Sequence, residues 1–396
     1  MFRSPSELRD RYDVVIIGGG GHGLAAAHYL ANEHGICDVA VLEKGYLGGG
    51  GTGRNTAIIR SNYLTEEGVR FYGASVELFR DLSRSLDFNL FYSEHGHFTL
   101  AHSPSALRTQ RWRAEVNKHL GIDSEVVGPE FLKEAVPEID LSCGGRQPPI
   151  HGALYHPPGA IARHDAVAWG YARGADRKGV EIHQQTEVTD IELRDGKVAG
   201  VCTNRGYIET RNVLSAVAGW TTAIQAMLGL RTPLTVYPLQ AMVTEPLKPW
   251  LDPIIVSASL HTYVSQSSRG ELVMGGALDP YELIATRSTL DFAEGLAGHL
   301  LDLFPFLGGI NVMRQWSGLA DMTPDFSPIM GTTPIPGFFI DAGWGTWGFK
   351  ATPISGYTMA HTIARGEDHE LIRPFNLSRF SEFNLVGEKG AASVGH

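Results

Sequence analysis

Cysteine is scarce: there are three in 396 residues, Cys37, Cys143 and Cys202, with no close spacing between any two. That excludes a disulfide framework and a cysteine-rich metal site, and leaves reduced thiols, buried or incidental. No apolar stretch approaches the roughly 20 residues that a membrane helix requires. The opening segment, MFRSPSELRDRYD, is charged and lacks the apolar run of a secretory leader. Positive charge is in deficit, with 33 Lys and Arg against 43 Asp and Glu and a formal net charge of −10. A nucleic-acid partner is therefore not expected, because phosphate binding needs a cationic surface. Internal repeats, low-complexity tracts and linkers are missing as well. These absences together predict a cytoplasmic chain that engages neither membrane nor nucleic acid.

What is present is an ordinary globular balance, 43% hydrophobic and 19% charged, in a chain long enough to bury a large core. Residues 13–17 (DVVII) read as a short buried strand running into a glycine-rich turn. Residues 23–34 then read as an Ala-rich helix and 38–42 (DVAVL) as a second strand ending at Glu43. Short apolar strands of this kind imply a parallel sheet covered on both faces. A long helical pattern follows over 66–86, with Thr65 as its cap and Glu66 and Glu67 in its first turn. Further helices are expected near 106–120, after Pro129, and over 165–179 with Asp165 as cap. Buried strands are expected at 180–183, 213–217 and 337–341 (GFFID), and a last helix over 353–365 opened by Pro353. Between 233 and 316 the pattern changes to longer alternating strands, with one helix near 290–304. The fold class is therefore α/β (α+β): a Rossmann-like cofactor domain built from 1–90, 150–222 and 318–396, and a mixed β-sheet substrate domain from 91–149 and 223–317.

The strongest chemical signal is Gly18-x-Gly20-x-x-Gly23 between strand and helix, with Glu43 closing the next strand. Gly18 permits the tight turn, Gly20 lets the backbone approach a pyrophosphate, and Gly23 lets helix and strand pack closely. The helix N-terminus offers free N–H groups and the positive end of its dipole to the phosphates. Glu43 accepts from ribose hydroxyls and disfavours a 2′-phosphate. This context predicts a dinucleotide but does not separate FAD from NAD.

The C-terminal third narrows the choice. Arg314-x-Trp316-x-Gly318, Thr323-Pro324-Asp325, the GFFID strand and Gly343-Trp344-Gly345-Thr346-Trp347-Gly348-Phe349-Lys350 resemble the FAD-binding D-amino-acid oxidase/sarcosine oxidase superfamily. The segments running from Arg54 to Tyr63 (RNTAIIRSNY) and from Gly159 to Asp165 (GAIARHD) further resemble the β subunits of heterotetrameric sarcosine oxidases, over nearly the whole chain. The resemblance implies oxidation of a secondary amine or N-methyl amino acid to an imine, hydrolysed to a glycine-like product and formaldehyde. It implies FAD, an FMN that passes electrons to O2, and partner subunits α, γ and δ. Arg60 and Lys350 match the pair that holds the substrate carboxylate, and their cationic heads suit that task. His164 matches the site of covalent FMN attachment. Cofactor contacts are expected from Gly18, Gly20, Gly21, His22, Gly23, Glu43, Arg54, Asn55, Thr56, Val188, Gly345, Thr346, Gly348 and Lys350, and Tyr263 is a further candidate for the pocket wall.

Two departures from the single-chain members of that superfamily stand out. Those attach FAD to a cysteine in the segment corresponding to 314–323, where this chain has none, so FAD is expected to be held noncovalently. Nor is there a lysine in 265–276 to assist oxygen at FAD. No Ser/His/Asp or metal constellation offers a competing chemistry. The alternatives are a self-sufficient FAD-dependent amine or amino-acid dehydrogenase and a noncatalytic flavin-binding assembly subunit.

Overall fold

The apolar run after Asp13 becomes the strand Val14–Ile17, buried along its whole length, inside a six-stranded sheet of the computed structural model, which describes residues 7–389. Val39–Glu43 and Val213–Ser215 flank it in parallel. Glu181–Gln184 extends the sheet on one side and Phe338–Ala342 on the other, both parallel, with antiparallel Ile329–Thr332 at the edge. Alternate side chains explain why these strands are apolar throughout. Val14, Ile16, Val39 and Val41 pack under the helices, whereas Val15, Ile17, Ala40 and Leu42 pack against a second, three-stranded sheet. That smaller sheet is the antiparallel meander Val188–Arg194, Lys197–Thr203 and Gly206–Glu209.

On the helical face, Gly21–Glu33 lies between His164–Asp176 and Gly348–Arg365. The last contact is very close: a Cβ on Gly356 would stand 2.3 Å from the Cβ of Ala25. Glu66–Ser85 packs outside Gly348–Arg365, and its cap is as expected, with Thr65 Oγ1 accepting from the Gly68 amide at 3.0 Å.

The second large element is an eight-stranded sheet in the order Val312–Met322, Thr235–Pro246, Glu271–Leu278, Thr262–Gln266, Ile254–Ser257, His97–Ala101, Gly152–His156, Glu125–Val127. It is antiparallel except where Ile254–Ser257 meets His97–Ala101. Helix Leu290–Leu303 buries Leu296, Leu300 and Leu303 against it, with Phe304 beside them.

Three expectations are corrected by this geometry. Pairing puts residues 152–156 and 318–322 in the eight-stranded sheet, so they leave the cofactor-domain segments 150–222 and 318–396. The outer ends of the cofactor domain, 1–6 and 390–396, lie outside the described residues. The final helix starts at Gly348 rather than 353 and carries Pro353 inside it. Asp165 is not a cap: the helix begins at His164, and Asp165 in its first turn is gripped by the Arg163 guanidinium at 2.6 and 3.0 Å.

Candidate cofactor and substrate site

A cavity of about 670 Å³ opens between the six-stranded and eight-stranded sheets. Its first wall is the glycine turn. Gly18 has φ +113°, and a Cβ there would stand 2.3 Å from the Ala216 carbonyl oxygen. Gly23 does not face the cavity; a Cβ on it would meet Gly18 O at 2.1 Å, so its role is the close packing of helix on strand. Gly20 is the N-cap, and the helix starts at Gly21, two residues before the expected 23. Thr52 Oγ1 accepts from the Gly21 amide at 2.8 Å, and Gly18, Gly20 and Gly21 border the cavity.

Glu43 is preset for hydrogen bonding. Its carboxylate accepts from the amides of Gly19 at 2.9 Å and Gly45 at 2.7 Å, and it borders the cavity together with Val188, Thr186 and Glu187. Across that mouth Lys44 Nζ stands 3.4 Å from the centre of the Trp220 ring, a cation–π contact between two further wall residues.

The middle of the wall is made by Arg54, Asn55 and Thr56 with Gly345, Thr346 and Gly348. Trp316 Nε1 donates to Arg54 O at 2.7 Å, and Asn55 Oδ1 accepts from Ala57 N at 2.6 Å, tying this loop to the substrate sheet and to itself. Tyr263 lines the cavity, its hydroxyl pKa pushed up by burial.

His22 ties the first helix to the last. Its Nδ1 is 3.2 Å from both oxygens of Asp341, and its Nε2 lies 2.7 Å from Gly348 O. Both ring nitrogens face acceptors, which favours the doubly protonated ring. Burial opposes that charge, yet the Asp341 carboxylate and these hydrogen bonds raise the pKa above the ordinary value. Asp341 also accepts from Trp344 Nε1 at 2.5 Å and Ser355 Oγ at 2.6 Å. Nearby, burial lifts Asp321 to about 6 although its carboxylate accepts from Gly343 N at 2.6 Å. Asp321 and Asp341 line the cavity, and neither was singled out from the sequence. Aspartates after ordinary strand residues carry no signal until two sheets bring them to one wall.

At the other end stand Arg60 and Lys350. Arg60 is 4% exposed; its Nη1 donates to Asn62 Oδ1 at 2.9 Å and Asn62 O at 3.1 Å, and the guanidinium lies 4.6 Å from the centre of the Tyr63 ring. Arg113 Nε donates to the same Asn62 carbonyl at 2.8 Å, fixing the residue that fixes Arg60. Lys350 is 7% exposed in the first turn of the last helix, and it forms no ion pair among the described residues. Burial and the Arg60 charge hold its pKa well below the usual lysine value. An enclosed guanidinium and an enclosed lysine on one wall are groups that could hold a small anion.

His164 is elsewhere. It is half-buried at the start of its helix and does not line the cavity; burial, with the Arg163 charge, lowers its pKa. The residues just before it form the strand Ala160–Ile161, which pairs with Ile58–Ile59, and Ile58 does line the cavity. Beyond that strand, Ala162 N donates to Ala57 O at 3.3 Å, and Ala57 also lines the cavity.

A glycine turn at a helix N-terminus on a cavity of about 670 Å³ could hold a dinucleotide, and the family match points to FAD. The chain is 45% identical to the sarcosine oxidase subunit beta of an Arthrobacter species, over 98% of this chain and 96% of that protein. It is 42% identical to the protein of the same name from Rhodobacter capsulatus, over 98% and 94% of the two. The crystal structure of L-proline dehydrogenase from P. horikoshii superposes with a TM-score of 0.90 at 27% identity, covering 96% of this chain and all of that one. Residues 13–362 match the FAD dependent oxidoreductase family, and the chain belongs to it.

Proposed function

We propose that this protein oxidises a secondary amine or N-methyl amino acid of the sarcosine type. The observation that carries the reading is the enclosed pair Arg60 and Lys350 on the cofactor cavity, a site for a carboxylate in a chain 45% identical to a sarcosine oxidase subunit beta. The carboxylate binds across the two cations, and the enclosed wall orients the adjoining N–CH3 group and excludes water, so orientation supplies much of the rate. FAD, held noncovalently by the glycine turn and Glu43, supplies a two-electron acceptor when bound. The amine loses two electrons, one C–H hydrogen and one N–H proton; water adds to the resulting imine and releases formaldehyde and the demethylated amino acid. The surroundings of Lys350 favour this chemistry, because cationic neighbours oppose an ammonium substrate and favour the amine with a free lone pair.

The reading includes a second flavin, FMN, attached to His164, which hands electrons on to O2. A neutral imidazole at that position, beside Arg163, suits attachment and a phosphate neighbour. The relatives named as beta subunits support a multi-subunit assembly, for which α, γ and δ subunits are proposed, in the cytoplasm. No described helix is long and apolar enough to cross a membrane. The likeness to a proline dehydrogenase favours one further reading, a self-sufficient dehydrogenase of a cyclic secondary amine. Anaerobic mixing of the purified holoprotein with sarcosine, proline and N-methyl amines lacking a carboxylate separates the readings. Rapid bleaching of the flavin by sarcosine is expected; bleaching by none of them overturns the assignment as an amine oxidoreductase.

A further inference from the structure

His97 borders the Arg60 and Lys350 end of the cavity and has no part in the reading above. It opens the strand His97–Ala101 of the substrate sheet and is 1% exposed. Its Nδ1 is fully enclosed and has no hydrogen-bond partner among the described residues, and the residue lines the cavity. The groups that act on the ring come from four elements: Arg60 after strand Ile58–Ile59, Arg113 from helix Pro104–His119, His156 from the adjoining strand, and Lys350 from the last helix. His156 is already committed: its Nδ1 is 2.7 Å from Asp123 O, and its Nε2 accepts from Ser61 N at 3.2 Å. That arrangement leaves it neutral, with burial holding its pKa near 3.

Enclosure and three cations oppose a second proton on His97, whose pKa is driven well below the ordinary value. The ring therefore carries one proton. An enclosed N–H without an acceptor is the costlier orphan, while a lone pair turned toward cations is tolerated. The proton accordingly belongs on Nε2.

We propose that His97 donates its Nε2–H to the substrate carboxylate as a third, uncharged donor beside Arg60 and Lys350. This rests on the carboxylate reading of that wall. A carboxylate has lone pairs for three donors, and the histidine adds direction without adding a charge that would further repel the amine. His97 would thereby set how deep the carboxylate sits, and so favour a carboxylate one carbon from the nitrogen.

The test uses the FAD-loaded protein and methylthioacetate, an unreactive probe with sulfur in place of the amine nitrogen, alongside 2-(methylthio)ethanol, which lacks the carboxylate. Binding is read from the change in the visible flavin spectrum. His97→Ala should weaken methylthioacetate about 10- to 100-fold, the range expected for one hydrogen bond to a charged group. His97→Gln, which keeps an N–H donor, should recover most of that, and neither should alter binding of the alcohol or FAD content. If His97→Ala loses FAD, His97→Phe replaces it as the donor-free variant. Unchanged carboxylate binding in the donor-free variant overturns the proposal, as does an equal loss for acid and alcohol. So does wild-type affinity that climbs as pH falls from 7 to 5.5 while that of His97→Gln does not, because the imidazole would then bind charged. A wild-type protein that binds neither probe overturns the carboxylate reading itself, an outcome distinct from failure of His97 alone.

Discussion

A lysine ammonium enclosed beside a guanidinium is costly until an anion joins the two, and this cost makes Lys350 informative about the substrate. Replacing Arg60 or Lys350 with Met should weaken carboxylate substrates by about 10- to 100-fold each, the loss expected from one charge-assisted hydrogen bond. Amines without a carboxylate should be affected far less; equal losses for both kinds, in kcat/KM from anaerobic reduction, would place the damage in flavin geometry. The pH dependence follows from the same burial. Lys350 titrates well below the usual lysine value, so its charge is present at low pH and is lost as pH rises through that lowered pKa. Carboxylate affinity should fall across the same window, and the bound anion should push the transition to higher pH. Lys350→Met should abolish this part of the profile, which spectral titration with methylthioacetate at several pH values measures.

Elements decide where these residues meet. Strand Val39–Glu43 delivers Glu43 to the cavity mouth, where two backbone amides orient its carboxylate. Glu43→Arg puts a cation where ribose hydroxyls need an acceptor, and the purified variant should keep well under a tenth of its flavin; full flavin absorbance would move the adenosine end elsewhere. The helix pair behind the turn is equally tight. Gly356→Ala should destabilise the protein by about 1–3 kcal/mol through overpacking against Ala25, read as a lower denaturation midpoint with FAD present. The strands were legible because four or five apolar residues ended by turn residues allow little else, and Thr65 announced its helix chemically. The start of the last helix was not. Pro353 reads as a first-turn proline, yet the helix runs five residues further back; Pro353 removes the N–H partner of the Phe349 carbonyl, and the adjacent Gly348 carbonyl accepts from His22. Local sequence carries no trace of a histidine 326 residues away.

At the scale of the whole molecule, the cavity exists only because two sheets, each assembled from distant segments, face one another. The glycine turn was legible since its geometry is local. His97, Asp321 and Asp341 were not, because each is an ordinary strand residue until pairing brings it to the wall. His164 is the opposite case: resemblance singled it out, while the fold sets it outside the main cavity, three residues beyond the strand Ala160–Ile161. That location makes a specific prediction about assembly. A flavin attached there would have to be enclosed by other chains as well as this one, since His164 is only half-buried here. FMN should therefore attach when partner subunits are co-expressed and fail to attach to this chain alone. After denaturation, peptide mass analysis should find FMN on the peptide containing His164, with FAD released free. His164→Asn should leave reduction of FAD by sarcosine within about twofold of the parent, because no residue of the anion site is touched, and should slow later electron delivery to oxygen. An unmodified His164 peptide from protein made with FMN and all partners present would leave the self-sufficient dehydrogenase as the better reading of the chain.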